Sequence, residues 1–519
     1  MNKLAVLSNI NIDPLKNQLQ KNSSYELYFA GYNQWQSELL NLNSKLYDFC
    51  PDFVFIYLNA EEFKADIQLL FLAVNFYQNA SPTCRFLISN FTLPPFTVET
   101  YKVARRVDRE FNESLVSYSK DHKNIFILDF ERLVLLHGYT SMFDDKYWYL
   151  GRIKFRNSAF AILAEEINNV LNCMQGKVKK VLILDLDNTL WGGVVGEDGW
   201  QGLQLVEEGV GRIYKDFQRL IKQLTSLGFV LAICSKNNES DAVEVFDNNA
   251  EMVLGLDDFV IRKINWTSKS ENIVEIAQTL NIGLDSLVFI DDSAVERELV
   301  KRELPELIVP DFPTDITKLP SWFILSVVYP YFSKTELTLE DGDKTAQYKR
   351  NALRESEKQK TSFDNFLRDL NIKLDVRIAD QSIYKRVAQL SQKTNQFNLS
   401  LKRYSESEIE LMCDKQGFIA ITCSYEDKYG SEGIVGCALI ELKNKKLLID
   451  SFMISCRVLG RKVDELFLAD ILQIAKKKMS ECEVIEANYL QTAKNELVKE
   501  FLQRCNFISV DNVLFSRKI

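Results

Sequence analysis

Apolar runs closed by a polar residue alternate with amphipathic stretches along most of the chain. LAVLSN, DFVFIYL, CRFLISN and NIFILDF have the unbroken hydrophobicity of buried strands, and FKADIQLLFLAVNFYQ repeats its apolar positions at helical spacing. This rhythm predicts a parallel α/β sheet over residues 1–175. NCMQGKVKK, residues 172–180, is polar and contains a glycine, so it reads as a boundary. The rhythm returns over 178–330, with strands VLILD, FVLAICS and LVFIDD and helices near 211–227, near 238–248 and in SENIVEIAQTLNI. The charge density of ELTLEDGDKTAQYKRNALRESEKQK then predicts a linker or exposed helix within 331–360. Residues 361–519 change character. Strands GFIAITCSY, GIVGCALIEL and KLLIDSFMI, with helices near 461–479 and 493–504, predict an α+β domain. The expected fold class is multidomain α/β.

Composition narrows the function classes. A chain of 519 residues exceeds what one core serves, and 46% hydrophobic with 26% charged residues suits a globular protein. The net charge of −9 argues against binding a nucleic-acid backbone. WFILSVVYPYF is too short to cross a bilayer and is broken by Pro330, and MNKLAVLSNINIDP lacks a signal-peptide core. Neither nucleic acid nor membrane is therefore an expected partner. Ten cysteines are scattered without a CxxC pair, which predicts reduced thiols in a cytoplasmic protein. With only His122 and His137 as histidines, chemistry must fall mostly to carboxylates, lysine, hydroxyls and thiols.

The run KVLILDLDNTLWGGVVGEDGW (180–200) supplies such carboxylates. Ligands of an open parallel sheet sit beyond the carboxyl ends of its strands. VLIL delivers Asp185 there, and Leu186 turns inward so that Asp187 faces the same crevice. Two carboxylates repel each other, and a divalent cation relieves that repulsion. One aspartate can then attack phosphorus while the other acts as acid and then as base. FVLAICSKNN ends a second strand in Ser235, a hydroxyl able to hold a phosphoryl oxygen. INWTSKSENI puts Lys269 before a helix, and LVFIDDS ends a third strand in Asp291 and Asp292. The intervals 185–235 and 235–269 hold no cap domain, so WGGVVGEDGW forms at most a small flap.

With these residues in this order the chain resembles the haloacid dehalogenase-like superfamily. DLDNTLWGGVVGEDG, CSKNN, FIDDSAVERE, KTNQFNLSLKRY, SCRVLGRKV and YLQTAKN resemble its FkbH-like branch, subfamily IIIC, across nearly the whole chain. The resemblance implies an SGNH-hydrolase-like domain (1–175), an uncapped phosphatase-like domain (178–330) and a GNAT-like domain (361–519). It implies Asp185 as nucleophile and Asp187 as acid/base. Mg²⁺ would be held by Asp185, the Asp187 main-chain carbonyl, Asp291 and Asp292, and phosphate by Thr189, Ser235 and Lys269. It further implies that the glyceryl group of 1,3-bisphosphoglycerate is dephosphorylated and passed to an acyl carrier protein as a thioester. Two alternatives stay open: a stand-alone phosphatase acting on a sugar phosphate or other biosynthetic intermediate, and an inactive carrier-protein docking module.

Outside the phosphatase-like segment the pattern departs from its relatives. Ser8 ends the first strand as a hydrolase nucleophile would, and Asn90 could donate to an oxyanion. The terminal D-x-x-H is missing, because Tyr147 and Trp148 stand at the third place after Asp144 and Asp145. A scaffold role for 1–175 follows. In the last domain RVLGRK (Arg457–Lys462) resembles a pyrophosphate-binding loop, with lysine where glycine or alanine is usual. Arg457, Gly460 and Asn495 are the candidates for holding a phosphopantetheine or coenzyme A arm. Cys456 and Cys234 are candidate acyl acceptors, each also readable as a small buried residue at a strand end. Lys393, Asn395, Gln396, Asn398 and Arg403 form either a substrate loop or a hydrated turn.

Overall fold

The computed structural model describes residues 2–22, 25–63, 66–92, 107–335, 344–358, 360, 362–394, 396–443, 445–478, 483–492, 495–511 and 513–518. It divides into two compact units, Met1–Asn172 with Ser405–Leu411, and Cys173–Tyr404 with Met412–Ile519.

The first unit is built on five parallel strands, β1 (Lys3–Ser8), β2 (Glu26–Phe29), β3 (Phe53–Tyr57), β4 (Arg85–Ser89) and β5 (Ile125–Leu128), in the order β2-β1-β3-β4-β5. β3 is buried along its whole length, which is why it reads as a continuous apolar run. The helix Ile67–Ala80 begins at Asp66, whose carboxylate accepts from Gln68 N, and buries Leu70, Phe71, Val74 and Tyr77.

The second unit holds two sheets. The first is fully parallel: β6 (Val181–Leu184), β7 (Val230–Ser235), β8 (Phe259–Ile264) and β9 (Leu287–Ile290), in the order β8-β7-β6-β9. The segment WFILSVVYPYF is helical and carries a π turn over Phe323–Val328. It buries Phe323, Val327 and Phe332 against this sheet's core. Among the described residues, no helix is long and apolar enough to cross a membrane.

The second sheet has seven strands: β10 (Lys373–Ile378), β11 (Phe418–Asp427), β12 (Gly430–Lys443), β13 (Lys446–Ile454), β14 (Val484–Asn488), β15 (Ile508–Ser509) and β16 (Leu514–Lys518). Their order is β10-β11-β12-β13-β14-β16-β15. Every pairing is antiparallel except β13 with β14. That parallel step needs a crossover, supplied by the helix Val463–Lys478. Phe452 packs on Phe501 and Phe467 at ring separations of 5.2 and 5.3 Å. The α+β expectation for this domain is met.

The expected linker is corrected. Within 331–360, residues 336–343 lie outside the described residues, while Lys344–Lys358 is a helix, as one of the two readings expected, but one face of it is buried although Leu353 is exposed. Gln347, Tyr348, Asn351 and Arg354 on it are buried. Arg354 donates to both carboxylate oxygens of Asp427, each at 2.7 Å, and to Glu432 at 2.6 Å. Charge that reads as solvation in the sequence is here paired inside the fold.

Candidate active site

Strand order creates the crevice before any side chain is considered. β6 has β7 on one side and β9 on the other, so the loops leaving its carboxyl end part company there. Leu184 pairs with Ile233 of β7 and with Ile290 of β9. Asp185, Ser235 and Asp291 therefore emerge at one edge, and Asp185 N donates to Ile290 O at 3.0 Å. Carboxylate oxygens of Asp185, Asp291 and Asp292 all lie within 4.8 Å of one another. Lys269 begins the helix Lys269–Leu280, whose N-cap Ser268 accepts from Glu271 N. Its ammonium stands 3.0 Å from Asp185 Oδ2 and contacts Asp291 directly.

The charges do not balance. Three carboxylates surround one ammonium, all in largely buried positions. Burial, and then the charge of Asp185, raise Asp291 to about 6. The same two causes raise Asp292. Burial alone would lower Lys269, but Asp185 and Asp291 outweigh it and hold the ammonium charged. Oxygen atoms this close, with surplus negative charge, fit a hard divalent cation.

Asp187 turns elsewhere. Its Oδ1 accepts from Trp191 Nε1 at 2.9 Å and from Val195 N at 3.1 Å. Its Oδ2 accepts from Asn237 Nδ2 at 3.0 Å, and that amide also reaches Ser235 Oγ at 3.2 Å. The acid/base candidate and the phosphate-binding hydroxyl thus share one amide. The Asp187 carboxylate stands outside the oxygen cluster formed by the other three aspartates. The turn after it depends on a left-handed Asn188 (φ 52°), whose Oδ1 accepts from Gly193 N at 3.0 Å. The flap is small: Gly192 and Gln204 exchange main-chain hydrogen bonds, enclosing a short helix, Val195–Gly202, kinked at Gly199. Gly192 has no room for a side chain, since a Cβ there would approach Tyr214 to 2.8 Å.

Thr189 is fully buried. Its Oγ1 accepts from Asp292 N at 3.2 Å and lies 3.4 Å from Asp292 Oδ1, so it fixes that loop and does not face open space. Two residues not singled out in the sequence complete the site. Asn237 is one. Arg297 is the other, donating to the main-chain oxygens of Asp291 and Asp292 at 2.8 and 2.6 Å. Asn237 follows Ser235 by two positions in CSKNN, a signal that was available. Arg297 lies on a helix with no such cue.

The remaining candidates separate. Cys234 is buried, its sulfur 3.7 Å from Lys269 O, and burial drives its thiol well above the usual range. Cys456 is only partly buried and lines a cavity of about 360 Å³. Arg457 donates to Ser455 Oγ, Gln347 Oε1 and Glu432 O at 3.1, 2.6 and 3.1 Å. Asn495 donates to Asn398 O and Leu490 O, both at 3.0 Å, and accepts from Thr492 N at 2.8 Å. Both side chains are therefore committed to structural contacts. Gly460 adopts φ 75°. In the polar loop, Asn398 Oδ1 accepts from Leu401 N at 3.1 Å, and Arg403 donates to Ser391 O at 2.6 Å. Asn395 lies outside the described residues.

In the first unit, Ser8 Oγ accepts from Ile10 N at 3.1 Å and lines a cavity of about 80 Å³ whose lining contains no histidine. Asn90 donates to Asp129 Oδ1 at 2.9 Å and accepts from Glu131 N at 3.0 Å, which places it at the start of a helix. Asp144 caps the helix Asp145–Gly151, and Asp145 lies 3.6 Å from Lys154.

No family model and no curated protein matches the chain. Solved structures do. The N-terminal part of the protein BF1531 from Bacteroides fragilis, containing a phosphatase domain complexed with Mg, is 31% identical. It covers 65% of this chain and 95% of its own length at a TM-score of 0.59. The ribosomal-protein-S18-alanine N-acetyltransferase of Escherichia coli matches 28% of this chain and 94% of its own, at 7% identity and a TM-score of 0.23. An acetyltransferase of the GNAT family from Staphylococcus aureus matches 28% and 99%, at 12% identity and a TM-score of 0.22.

Proposed function

The chain belongs to one family with the phosphatase-domain protein of Bacteroides fragilis, and from that premise we propose that it is a Mg²⁺-dependent, aspartate-nucleophile phosphatase of the FkbH-like type. The observation that carries the reading is the meeting of Asp185, Asp291 and Asp292 oxygens within 4.8 Å around Lys269. Asp185, Asp291 and Asp292, with the main-chain carbonyl of Asp187, would hold the ion. When bound, Mg²⁺ offsets their charge and that of the transferring phosphoryl group.

The rest follows from the chain's own residues. A carboxylate oxygen of Asp185 attacks phosphorus. The bond from phosphorus to the leaving oxygen breaks, and Asp187 gives that oxygen a proton. Asp187 then takes a proton from water. The resulting hydroxide attacks phosphorus, the Asp185–phosphorus bond breaks, and inorganic phosphate leaves. Ser235 and Lys269 hold the phosphoryl oxygens throughout. Asn237 keeps Asp187 and Ser235 in register by bonding both.

The substrate proposed is the three-carbon acyl phosphate 1,3-bisphosphoglycerate. A thiol attacks its acyl carbon and expels one phosphate, while the phosphatase crevice hydrolyses the remaining phosphate ester. The thiol of a carrier protein then attacks that acyl carbon, the bond to the enzyme thiol breaks and the enzyme thiol regains its proton, so the glyceryl group ends as a thioester on the carrier. Of the thiols considered, Cys456 is partly accessible and Cys234 is enclosed, which favours Cys456 as the acceptor. The test is mass spectrometry of a holo carrier protein mixed with the enzyme, Mg²⁺ and 1,3-bisphosphoglycerate, beside an assay of released phosphate. A glyceryl adduct is expected. Asp185→Asn should lower ester hydrolysis by about a thousandfold or more. Phosphate release without any adduct would leave a phosphatase of another small metabolite, and full activity of Asp185→Asn would remove both readings.

A further inference from the structure

The catalytic residues engage the phosphoryl group and leave the rest of the ester without a partner. With no cap domain in the intervals 185–235 and 235–269, the leaving group meets the rim of the crevice. The loop after β7 reaches across that rim through consecutive side chains. Lys236 Nζ meets Glu296 Oε1 at 2.6 Å, Asn237 bonds Asp187 and Ser235, and Asn238 Oδ1 accepts from Trp266 Nε1 at 3.0 Å. Glu296 lies in the first turn of the helix Ala294–Glu303, which follows β9. Since β6 stands between β7 and β9, the pair of Lys236 with Glu296 joins the two sides of the crevice on either side of Asp185. On the other flank Trp266, in the loop after β8, is 69% exposed, so most of the indole remains open to a ligand.

The pair differs from an ordinary surface salt bridge. Its side chains are only 32% and 18% exposed. Glu296 Oε2 is buried and has no hydrogen-bond partner among the described residues. A buried acceptor left in this state costs stability until a donor arrives. An ammonium beside a carboxylate presents a donor next to an acceptor, with no net charge. A hydroxyl matches that arrangement, because it both donates and accepts. A second anionic group does not: the pair offers it no surplus positive charge, and the carboxylates of Asp185, Asp291 and Asp292 repel it.

We propose that Lys236 and Glu296 determine specificity by binding a hydroxyl on the leaving group, with Trp266 as the wall against which its carbon chain lies. The substrate is then a phosphate monoester of a hydroxylated carbon chain. Lys236 donates to the hydroxyl oxygen, and Glu296 Oε2 accepts from the hydroxyl hydrogen. Neither side chain touches the reacting atoms, so both act on binding. The assignment rests on the phosphatase reading of the crevice.

The test is steady-state hydrolysis of glycerol 3-phosphate and propyl phosphate by the full chain with Mg²⁺, two esters that differ only in their hydroxyls. The kcat/KM of the wild-type chain should favour glycerol 3-phosphate about tenfold or more, because the analogue leaves the polar groups of the site unpaired. Lys236→Met and Glu296→Gln should each reduce that preference to about threefold or less, through KM for glycerol 3-phosphate and not through kcat. The double variant, Lys236→Met with Glu296→Gln, leaves no uncompensated charge, so the same loss there separates hydroxyl recognition from charge imbalance. Trp266→Ala should raise KM for both esters alike, by about threefold. Each variant should melt cooperatively, which shows that it folds. Equal kcat/KM for the two esters in the wild-type chain, a preference that survives in the double variant, or a loss confined to kcat would overturn the assignment and leave the phosphatase reading standing. Absence of Mg²⁺-dependent hydrolysis of either ester would remove that reading and this assignment with it.

Discussion

Asp291 shows how position decides what a carboxylate does. It is wholly buried, accepts from Ser293 N at 2.9 Å, and shares Lys269 with Asp185. Burial, then the charge of Asp185, raise it to about 6. A carboxylate raised in the fold contributes stability at low pH, and that contribution is lost as pH rises through about 6. The metal-free protein should therefore become less stable across that window. Mg²⁺, which takes the place of the proton, should recover the loss. Melting curves with and without Mg²⁺ should differ little near about pH 5 and clearly near about pH 7.5. An equal gap at both pH values would contradict the shared-ion geometry. The acidic cluster itself was legible in the sequence, because carboxylates at strand ends mark a crevice. The differing orientation of Asp187 was not, since it depends on Trp191 and Asn237 folding back onto it.

Among the elements, the parallel strands were the easiest to read, because burial on both faces leaves an uninterrupted apolar run. The helix Lys344–Lys358 was misread for the converse reason: its charges are satisfied by partners distant in sequence. Arg354 is fully buried, so removing it leaves Asp427 and Glu432 uncompensated. Arg354→Ala should cost about 3–5 kcal/mol in urea unfolding. Lys358→Ala, which breaks a partly exposed pair with Glu355 one turn away on the same helix, should change stability by less than about 1 kcal/mol. The same network sets an acid limit. Burial alone would raise Asp427, but hydrogen bonds from Arg354 and Tyr425 outweigh it and hold the carboxyl below its usual range. Its contribution is present above the ordinary carboxylate pKa and is lost as pH falls through the lower, folded value. Arg354→Ala should therefore raise the pH of acid unfolding, while Lys358→Ala should leave it in place.

At the scale of the second unit, one parallel sheet has features at both ends, an acidic crevice at its carboxyl ends and, at its amino ends, a cavity of about 360 Å³ that Cys456 lines. Only the first could be read from the sequence. The second is assembled from the approaches to three strands, a helix after β10 and the end of β13, and no linear pattern connects those pieces. Lys180, which lines the cavity, and Asp185 are five residues apart along β6, and this separation of about 16 Å has a kinetic consequence. If acyl capture at Cys456 and ester hydrolysis at Asp185 both serve one product, the phosphoglyceryl group must pass from Cys456 to the carrier's thiol before its phosphate ester enters the crevice at Asp185. Chains defective in different steps should then complement each other. Asp185→Asn mixed with Cys456→Ser should restore glyceryl loading of a holo carrier protein, although each variant alone gives none. Intact mass of the carrier over time measures this, and recovery should increase with total enzyme as the intermediate passes between molecules. A mixture as inactive as its parts would mean that the intermediate is handed over within one chain. The two ends of the sheet would then have to communicate through a movement of the bound arm, without release.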